Sequence, residues 1–140
     1  IRNIMDILLL SSSIHEESFA NFLENLFEQQ TEEAELITRI LEIIEHVARN
    51  GGHPQPPYAK PLREVNNELC ELRIKYENNL LLRIYYFVEK GTQKLFLLNY
   101  ILKPDQYEKT VKKKTDKIIE KSIQLALQLK NLPYSSYEPF

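Results

Sequence analysis

The stretch LCELRIKY-ENN-LLLRIYYFV (residues 69–88) decides the fold of this chain. Apolar residues alternate with polar ones on both sides of the segment ENN (77–79), and an Asn-Asn pair tolerates the left-handed backbone of a tight turn. The pattern therefore predicts a β-hairpin. A second turn signal at 89–92 leads into KLFLLNYI (94–101), which predicts a third strand and hence a three-stranded antiparallel meander.

Cations recur at alternate positions of this meander. Arg73 and Lys75 are two residues apart, so they lie on the same side of their strand. Arg83, on the next strand, shares that face if the hairpin register allows. Because cations on a sheet are more often solvated than functional, the spacing alone leaves both interpretations open.

Upstream of the meander, the pattern predicts a strand over 3–10 and then a helical hairpin. Ser13 and Glu16 have the spacing of a capping box for the first helix, Thr31 is the expected cap of the second, and Gly51 is its expected stop. Downstream, apolar residues at helical spacing predict a last helix over 115–131.

The expected fold class is thus α+β, with an N-terminal strand, a helical hairpin, a three-stranded antiparallel meander and a C-terminal helix. We expect the helices on one side of the sheet, in a single domain over residues 1–133. Residues 134–140 form a tail that could be flexible or pack on a partner.

Composition is that of a globular domain, with 43% hydrophobic and 27% charged residues among 140. No apolar run approaches the roughly 20 residues that span a bilayer, so no membrane association is expected. Cys70 is the single cysteine, which excludes an internal disulfide, fits a cytoplasmic location and is most simply a core residue. The three histidines are not paired at metal-ligand spacing, so no metal or other cofactor is expected.

Charge is distributed unevenly along the chain. Residues 1–57 carry 3 basic and 10 acidic side chains, whereas residues 58–133 carry 15 basic and 9 acidic ones. A chain of this kind can present a basic face although its formal net charge is −2. The acidic half has a simpler interpretation as the solvated surface of two helices.

The usual enzyme motifs are missing: there is no P-loop, no dinucleotide fingerprint and no serine nucleophile elbow. What remains is a set of cations for phosphates together with aromatic rings for bases, which is the inventory of an RNA-facing surface. The cations include Lys103 and, before the last helix, Lys112, Lys113 and Lys114. The interleaved tyrosines are Tyr76, Tyr85, Tyr86, Tyr100 and Tyr107.

Four segments carry a resemblance to a known family: PPYAKPL (56–62), ELCELRI (68–74), RIYY (83–86) and LFLL (95–98). With them, residues 4–130 resemble toxins of the RelE/ParE superfamily, most closely the HigB-like, phage-derived branch of type II toxin–antitoxin systems. The resemblance implies a RelE-like fold and a metal-independent mRNA interferase, an endoribonuclease that cleaves mRNA on the ribosome and inhibits translation. It also implies a cognate antitoxin as partner.

The implied mechanism is attack of an RNA 2′-hydroxyl on the adjacent phosphate. By position, Arg73 and Arg83 would clamp the scissile phosphate, Lys103 would add charge, and Tyr107, or less readily Tyr85, would transfer a proton or stack on a base. The RNA-binding set would comprise Lys75, Tyr85, Lys112, Lys113 and Lys114.

The sequence departs from that branch at residues 99–101, where Asn-Tyr-Ile replaces a His-Gly-Phe-like segment, and at Pro104, where a second lysine is expected. The departures leave a second hypothesis open, in which the same fold is a non-enzymatic protein-binding module. Such a module would be a ParE-like gyrase inhibitor or a degenerate toxin that retains only antitoxin binding.

Overall fold

The computed structural model describes residues 4–28, 34–75, 80–104 and 109–140, without the side chains of 104 and 109–113. The described chain is a mixed α+β fold, as expected, and its elements are β1 Asp6–Leu10, α1 Phe19–Glu28, α2 Ala34–Arg49, β2 Ala59–Pro61, β3 Cys70–Lys75, β4 Leu80–Glu89, β5 Lys94–Pro104, α3 Lys109–Lys130 and β6 Tyr137–Pro139. Single 3₁₀ turns lie at Arg63–Val65 and Tyr134–Ser136.

The six strands form one sheet in the order β2-β3-β4-β5-β1-β6. The predicted meander is confirmed as β3, β4 and β5, which pair antiparallel in sequence. β1 joins the sheet parallel to β5, so the sheet is mixed rather than antiparallel throughout. β2 and β6 were not predicted, because an edge strand of three residues is too short to show an alternating pattern.

Helices cover both faces of the sheet, so the prediction of helices on one side is wrong. α1 and α2 bury one face through side chains such as Phe19 and Ile40, and α3 buries part of the other through Ile123 and Ala126. The reason is visible in β5, where four consecutive apolar residues, 95–98, are all buried. Successive side chains of a strand point to opposite faces of the sheet, so both faces of β5 must be covered.

The starts of α1 and α3 differ from the prediction. α1 begins at Phe19, and the Oγ atom of Ser18 accepts the backbone N–H of Asn21 at 3.3 Å, so Ser18 is the N-cap and the predicted capping box at residues 13–16 is wrong. The predicted cap at Thr31 lies outside the described residues. α3 begins at Lys109, earlier than expected, which places residues 112–114 inside the helix.

The C-terminal segment is part of the sheet. β6 pairs antiparallel with β1, and the hydroxyl of Tyr137 donates to the backbone carbonyl of Leu129 at 2.7 Å. The Tyr137 ring also meets Phe96 edge-on at a centroid separation of 4.9 Å. The structure therefore shows residues 137–139 not as a free tail but as a strand of this chain's own sheet.

α2 ends in a Schellman motif, which sets the course of the chain toward β2. The N–H of Gly52 donates to the carbonyl of Val47 at 2.8 Å and that of Gly51 to Ala48 at 3.2 Å. Both glycines have a positive φ, +70° at Gly51 and +74° at Gly52, which other residues adopt only with strain. Gly51 faces open space, whereas a Cβ on Gly52 would lie 2.4 Å from Cγ2 of Val88.

These two glycines offer a matched test of packing against backbone strain. Gly51→Ala should lower the free energy of unfolding by about 1 kcal/mol, the cost of the left-handed backbone. Gly52→Ala should cost about 3 kcal/mol, because the stiff β-branched Val88 must also move. Urea denaturation measures both, and equal losses would contradict the close approach of Gly52 to β4.

Candidate functional site

The strand register brings the predicted cations to one face of the sheet. Arg73 lies directly opposite Arg83, and Lys75 and Lys103 both lie opposite Leu81, one on each side of it. Directly paired residues of neighbouring strands point to the same face. The same face carries Lys60, which pairs with Glu71 on β3. We call Lys60, Arg73, Lys75, Arg83 and Lys103 the cationic face.

A buried carboxylate, Glu71, lies on this face beside Lys60, Arg73 and Arg83. Glu71 is 1% exposed, and its Oε1 lies 3.5 Å from Nη1 of Arg83, while its Oε2 lies 3.8 Å from Nζ of Lys60. Directly opposed arginines repel each other, so the Glu71 charge makes the pairing of Arg73 with Arg83 tolerable.

Burial raises the pKa of Glu71 above its usual value, and the positive charges of Arg83, Lys60 and Arg73 offset this only in part. Its Oε2 atom has no hydrogen-bond partner among the described residues. The carboxyl group is therefore held by charge more than by direct hydrogen bonds. Loss of any of these three cations would therefore raise the pKa of Glu71 further.

The five cations differ in how much of their charge a ligand could reach. The side chain of Arg83 is only 12% exposed and is taken up by Glu71. Arg73 and Lys103 are half-buried, and Lys60 and Lys75 are exposed. Arg73 is thus the arginine available to an incoming anion, with Arg83 beside it on the neighbouring strand as a second charge.

Tyr85 lies on the same face but is covered by α3. It is 0% exposed, and its hydroxyl lies 2.5 Å from the Oγ atom of Ser122. Burial raises the pKa of Tyr85 well above its ordinary value, with the hydrogen bond to Ser122 opposing the shift only partly. In this conformation its ring cannot stack on RNA and its hydroxyl cannot serve as a base, which removes Tyr85 from the predicted RNA-binding set.

Asn99, at the position where the resembled branch has a histidine-containing segment, is also buried. Its Nδ2 donates to the carbonyl of Ser122 in α3 at 3.0 Å. The Oγ atom of Ser122 in turn donates to the carbonyl of Ile119 at 2.6 Å. Asn99 and Tyr85 therefore hold α3 against the sheet through one serine, and this position supports the helix rather than facing a ligand.

The structure describes only some of the remaining predicted site residues. Tyr107 and Tyr76 lie outside the described residues, and the side chains of Lys112 and Lys113 are not described although both residues lie in α3. Lys114 is exposed. Tyr86 is fully buried and Tyr100 packs on Phe22 at a centroid distance of 4.8 Å, so neither is a free surface ring.

Other reactive groups lie away from the cationic face. His15 precedes α1, His46 is in α2 and His53 follows α2, and both helices pack on the opposite face of the sheet. The ring of His46 nevertheless reaches the edge of the sheet, where it contacts Tyr58 at a centroid distance of 6.2 Å. Burial raises the pKa of the Cys70 thiol, which keeps it protonated, with a hydrogen bond to Tyr86 acting against the shift. Within the described ranges there is no cluster of three metal-ligating side chains, and no helix there is long and apolar enough to cross a membrane.

A groove of about 690 Å³ opens beside the cationic face, at the edge of the sheet. It lies where β3 extends beyond β2, between α2 and the residues that precede β2. Its lining combines cations with apolar and aromatic side chains: Arg39, Ile43, Pro56, Pro57, Tyr58, Ala59, Lys60, Arg73, Lys75 and Leu81. Arg73, Lys75 and Lys60 belong to both the groove and the cationic face, so the two surfaces are continuous.

Sequence reasoning missed Glu71 and Tyr58 as site residues. Glu71 had a visible signal, since it is two residues from Arg73 and must share its face. Tyr58 had none beyond its place after two prolines. Tyr58 is 45% exposed, whereas the tyrosines of β4, Tyr85 and Tyr86, are fully buried.

Comparisons of this chain with models of protein families, with curated proteins and with solved structures found no match.

Proposed function

We propose that this chain is the toxin of a type II toxin–antitoxin pair and acts in the cytoplasm as a ribosome-dependent, metal-independent mRNA endonuclease. The observation that carries the proposal is the cationic face, on which five cations share one side of the sheet and a buried carboxylate, Glu71, pairs with two of them, Arg83 and Lys60. The sequence resemblance to HigB-like toxins and the order of strand, helices, meander and helix support it. The RelE-like arrangement itself is part of the proposal.

The chemistry needs positive charge more than a nucleophile of the protein, because the RNA 2′-hydroxyl attacks the neighbouring phosphate. Attack places extra negative charge on the phosphorane oxygens and expels the 5′-oxygen, which leaves a 2′,3′-cyclic phosphate and a new 5′-hydroxyl end. Arg73 would stabilise this charge directly, with Lys103 and Lys75 holding the flanking phosphates. Arg83 would add charge from the neighbouring strand, held by Glu71.

In this proposal Tyr107 transfers the proton, the role that the resemblance implies for it, because the alternative, Tyr85, is buried. Positioning and electrostatic stabilisation then supply most of the rate. Such an enzyme would depend on the ribosome to bend and present the mRNA.

The two faces of the sheet also suggest how an antitoxin would inhibit the chain. Exposed carboxylates of α1 and α2, such as Glu24 and Glu42, lie on the side away from the cationic face. An antitoxin segment with acidic residues would be drawn to the cationic face and exclude RNA from it.

The second hypothesis, a non-enzymatic module with a protein target such as gyrase, is favoured by one observation. The ion pair of Arg83 with Glu71 leaves fewer free cations for a phosphate than the sequence suggests. In that case the cationic face would bind acidic protein surfaces only.

Inducible expression of the chain without an antitoxin, followed by growth curves and mapping of mRNA 5′ ends, separates the two. The proposal predicts growth arrest with new 5′ ends inside translated codons. Growth arrest with intact transcripts would reject the nuclease and favour the protein target.

A further inference from the structure

We propose that the groove at the edge of the sheet is a base-binding subsite for single-stranded RNA, in which the Tyr58 ring stacks on one base while Arg39, Lys60 and Lys75 contact the phosphates beside it. The inference rests on the proposed function in one respect, namely that the ligand of the adjoining cationic face is RNA. It adds a place where a base, rather than a phosphate, is held.

The lining of the groove fits a nucleotide. Among the described residues that line it, four are cations, Arg39, Lys60, Arg73 and Lys75, and none is acidic. Pro56, Pro57 and Tyr58 supply an apolar and aromatic wall. A volume of about 690 Å³ lies within the range of sites that hold a small molecule or a nucleotide. Proteins that bind single-stranded nucleic acid without sequence preference combine cations, which contact the phosphate backbone, with aromatic rings, which stack on the bases.

Tyr58 is suited to the stacking role by its position. The residue is 45% exposed, and the ring of His46 meets the Tyr58 ring at 76° with centroids 6.2 Å apart, which orients the Tyr58 ring without covering it. Its backbone is fixed as well, because its carbonyl accepts the N–H of Arg73 at 2.8 Å. Tyr58 is therefore tied to the residue proposed to hold the scissile phosphate.

The backbone at this edge is already occupied, which disfavours an added peptide strand. The N–H of Arg73 is bonded to Tyr58, and the carbonyl of Lys75 accepts Nη1 of Arg39 at 2.8 Å. A peptide that extends a sheet needs such groups free. The ligand must then be recognised by the side chains of the groove. A nucleotide can contact both the Tyr58 ring, through its base, and the cations, through its phosphate, whereas an acidic peptide contacts mainly the cations.

Binding of a fluorescently labelled single-stranded RNA to the purified chain, measured by anisotropy without ribosomes, tests the subsite. Tyr58→Ala should weaken binding about tenfold, whereas Tyr58→Phe, which keeps the ring, should stay within about twofold of wild type. Phe27→Ala removes a ring from α1 that is more exposed, at 60%, and should change nothing. Arg39→Gln should reduce the slope of log affinity against log salt by about one, and Tyr58→Ala should leave that slope unchanged.

Several results would overturn the subsite. They are equal RNA affinities for wild type and Tyr58→Ala, no RNA binding by the wild type, or a glutamate-rich peptide that binds more tightly than RNA and depends on Tyr58. Transcripts left intact in cells, together with Tyr58-dependent RNA binding, would reject the nuclease and keep the subsite. Cleavage with Tyr58-independent binding would reject the subsite alone.

Discussion

Arg73→Ala should lower the rate of mRNA cleavage on the ribosome by about 10²-fold, the usual cost of removing one group that stabilises transition-state charge. Arg73 is the arginine of the cationic face whose charge is not taken up at close range by Glu71. Its loss also removes a cation from the edge groove. Both effects weaken the hold on RNA around the scissile phosphate.

The rate is measured by primer extension in a purified translation reaction. Arg49→Ala is the matched control, because Arg49 is an exposed arginine on α2 that pairs with Glu45 on the opposite side of the sheet. It should cleave at the wild-type rate. An Arg73→Ala variant that cleaves as fast as Arg49→Ala would remove Arg73 from the reaction.

Glu71→Ala should lower the free energy of unfolding at neutral pH by about 3 kcal/mol or more, the cost of breaking a buried ion pair from one side. The change leaves Arg83, 12% exposed, without its partner and opposite Arg73. Glu68→Ala is the control, since Glu68 forms only an exposed pair with Lys130 at 4.0 Å. It should cost less than about 1 kcal/mol.

Guanidinium denaturation followed by circular dichroism measures both losses. If Glu71→Ala unfolds with the same free energy as Glu68→Ala, the buried pair does not hold the cationic face together, and the electrostatic account of the site fails.

The pH dependence of stability tests the state of the same carboxyl group. Burial raises the folded-state pKa of Glu71 above its ordinary value of 4.5. The folded state then binds the proton more tightly than the unfolded state, so protonation of Glu71 stabilises the fold. This contribution is fully present below the unfolded-state pKa and is lost as pH rises through the folded-state pKa.

Wild type should therefore lose stability relative to Glu71→Gln as pH rises from about 4 toward neutral. Denaturation of both variants over this range measures the difference. A difference that instead grows in favour of the wild type would mean that its cations, rather than burial, dominate the pKa of Glu71.

The sequence predicted the meander and the shared face of Arg73 and Lys75, because an alternation of two is a local property of a strand. It could not supply the register that sets Arg73 against Arg83, since the turn between their strands allows more than one pairing. β1 joining β5 in parallel was equally hidden, because that contact depends on segments far apart in the chain.

Tyr85 shows the main limit of the sequence analysis for the site. Tyr85 lies two residues from Arg83 on the same face of the sheet, yet Arg83 borders the surface and Tyr85 is fully buried. The difference comes from α3, which covers one part of this face and leaves the other open. No local pattern in β4 records where a helix from the end of the chain comes to lie.

The most direct test of the account is to add the purified chain to ribosomes programmed with a defined mRNA and to analyse both new ends. We predict cleavage within translated codons, with a 2′,3′-cyclic phosphate on the upstream fragment and a 5′-hydroxyl on the downstream one. An mRNA that stays intact while the chain is in excess over ribosomes would contradict the account.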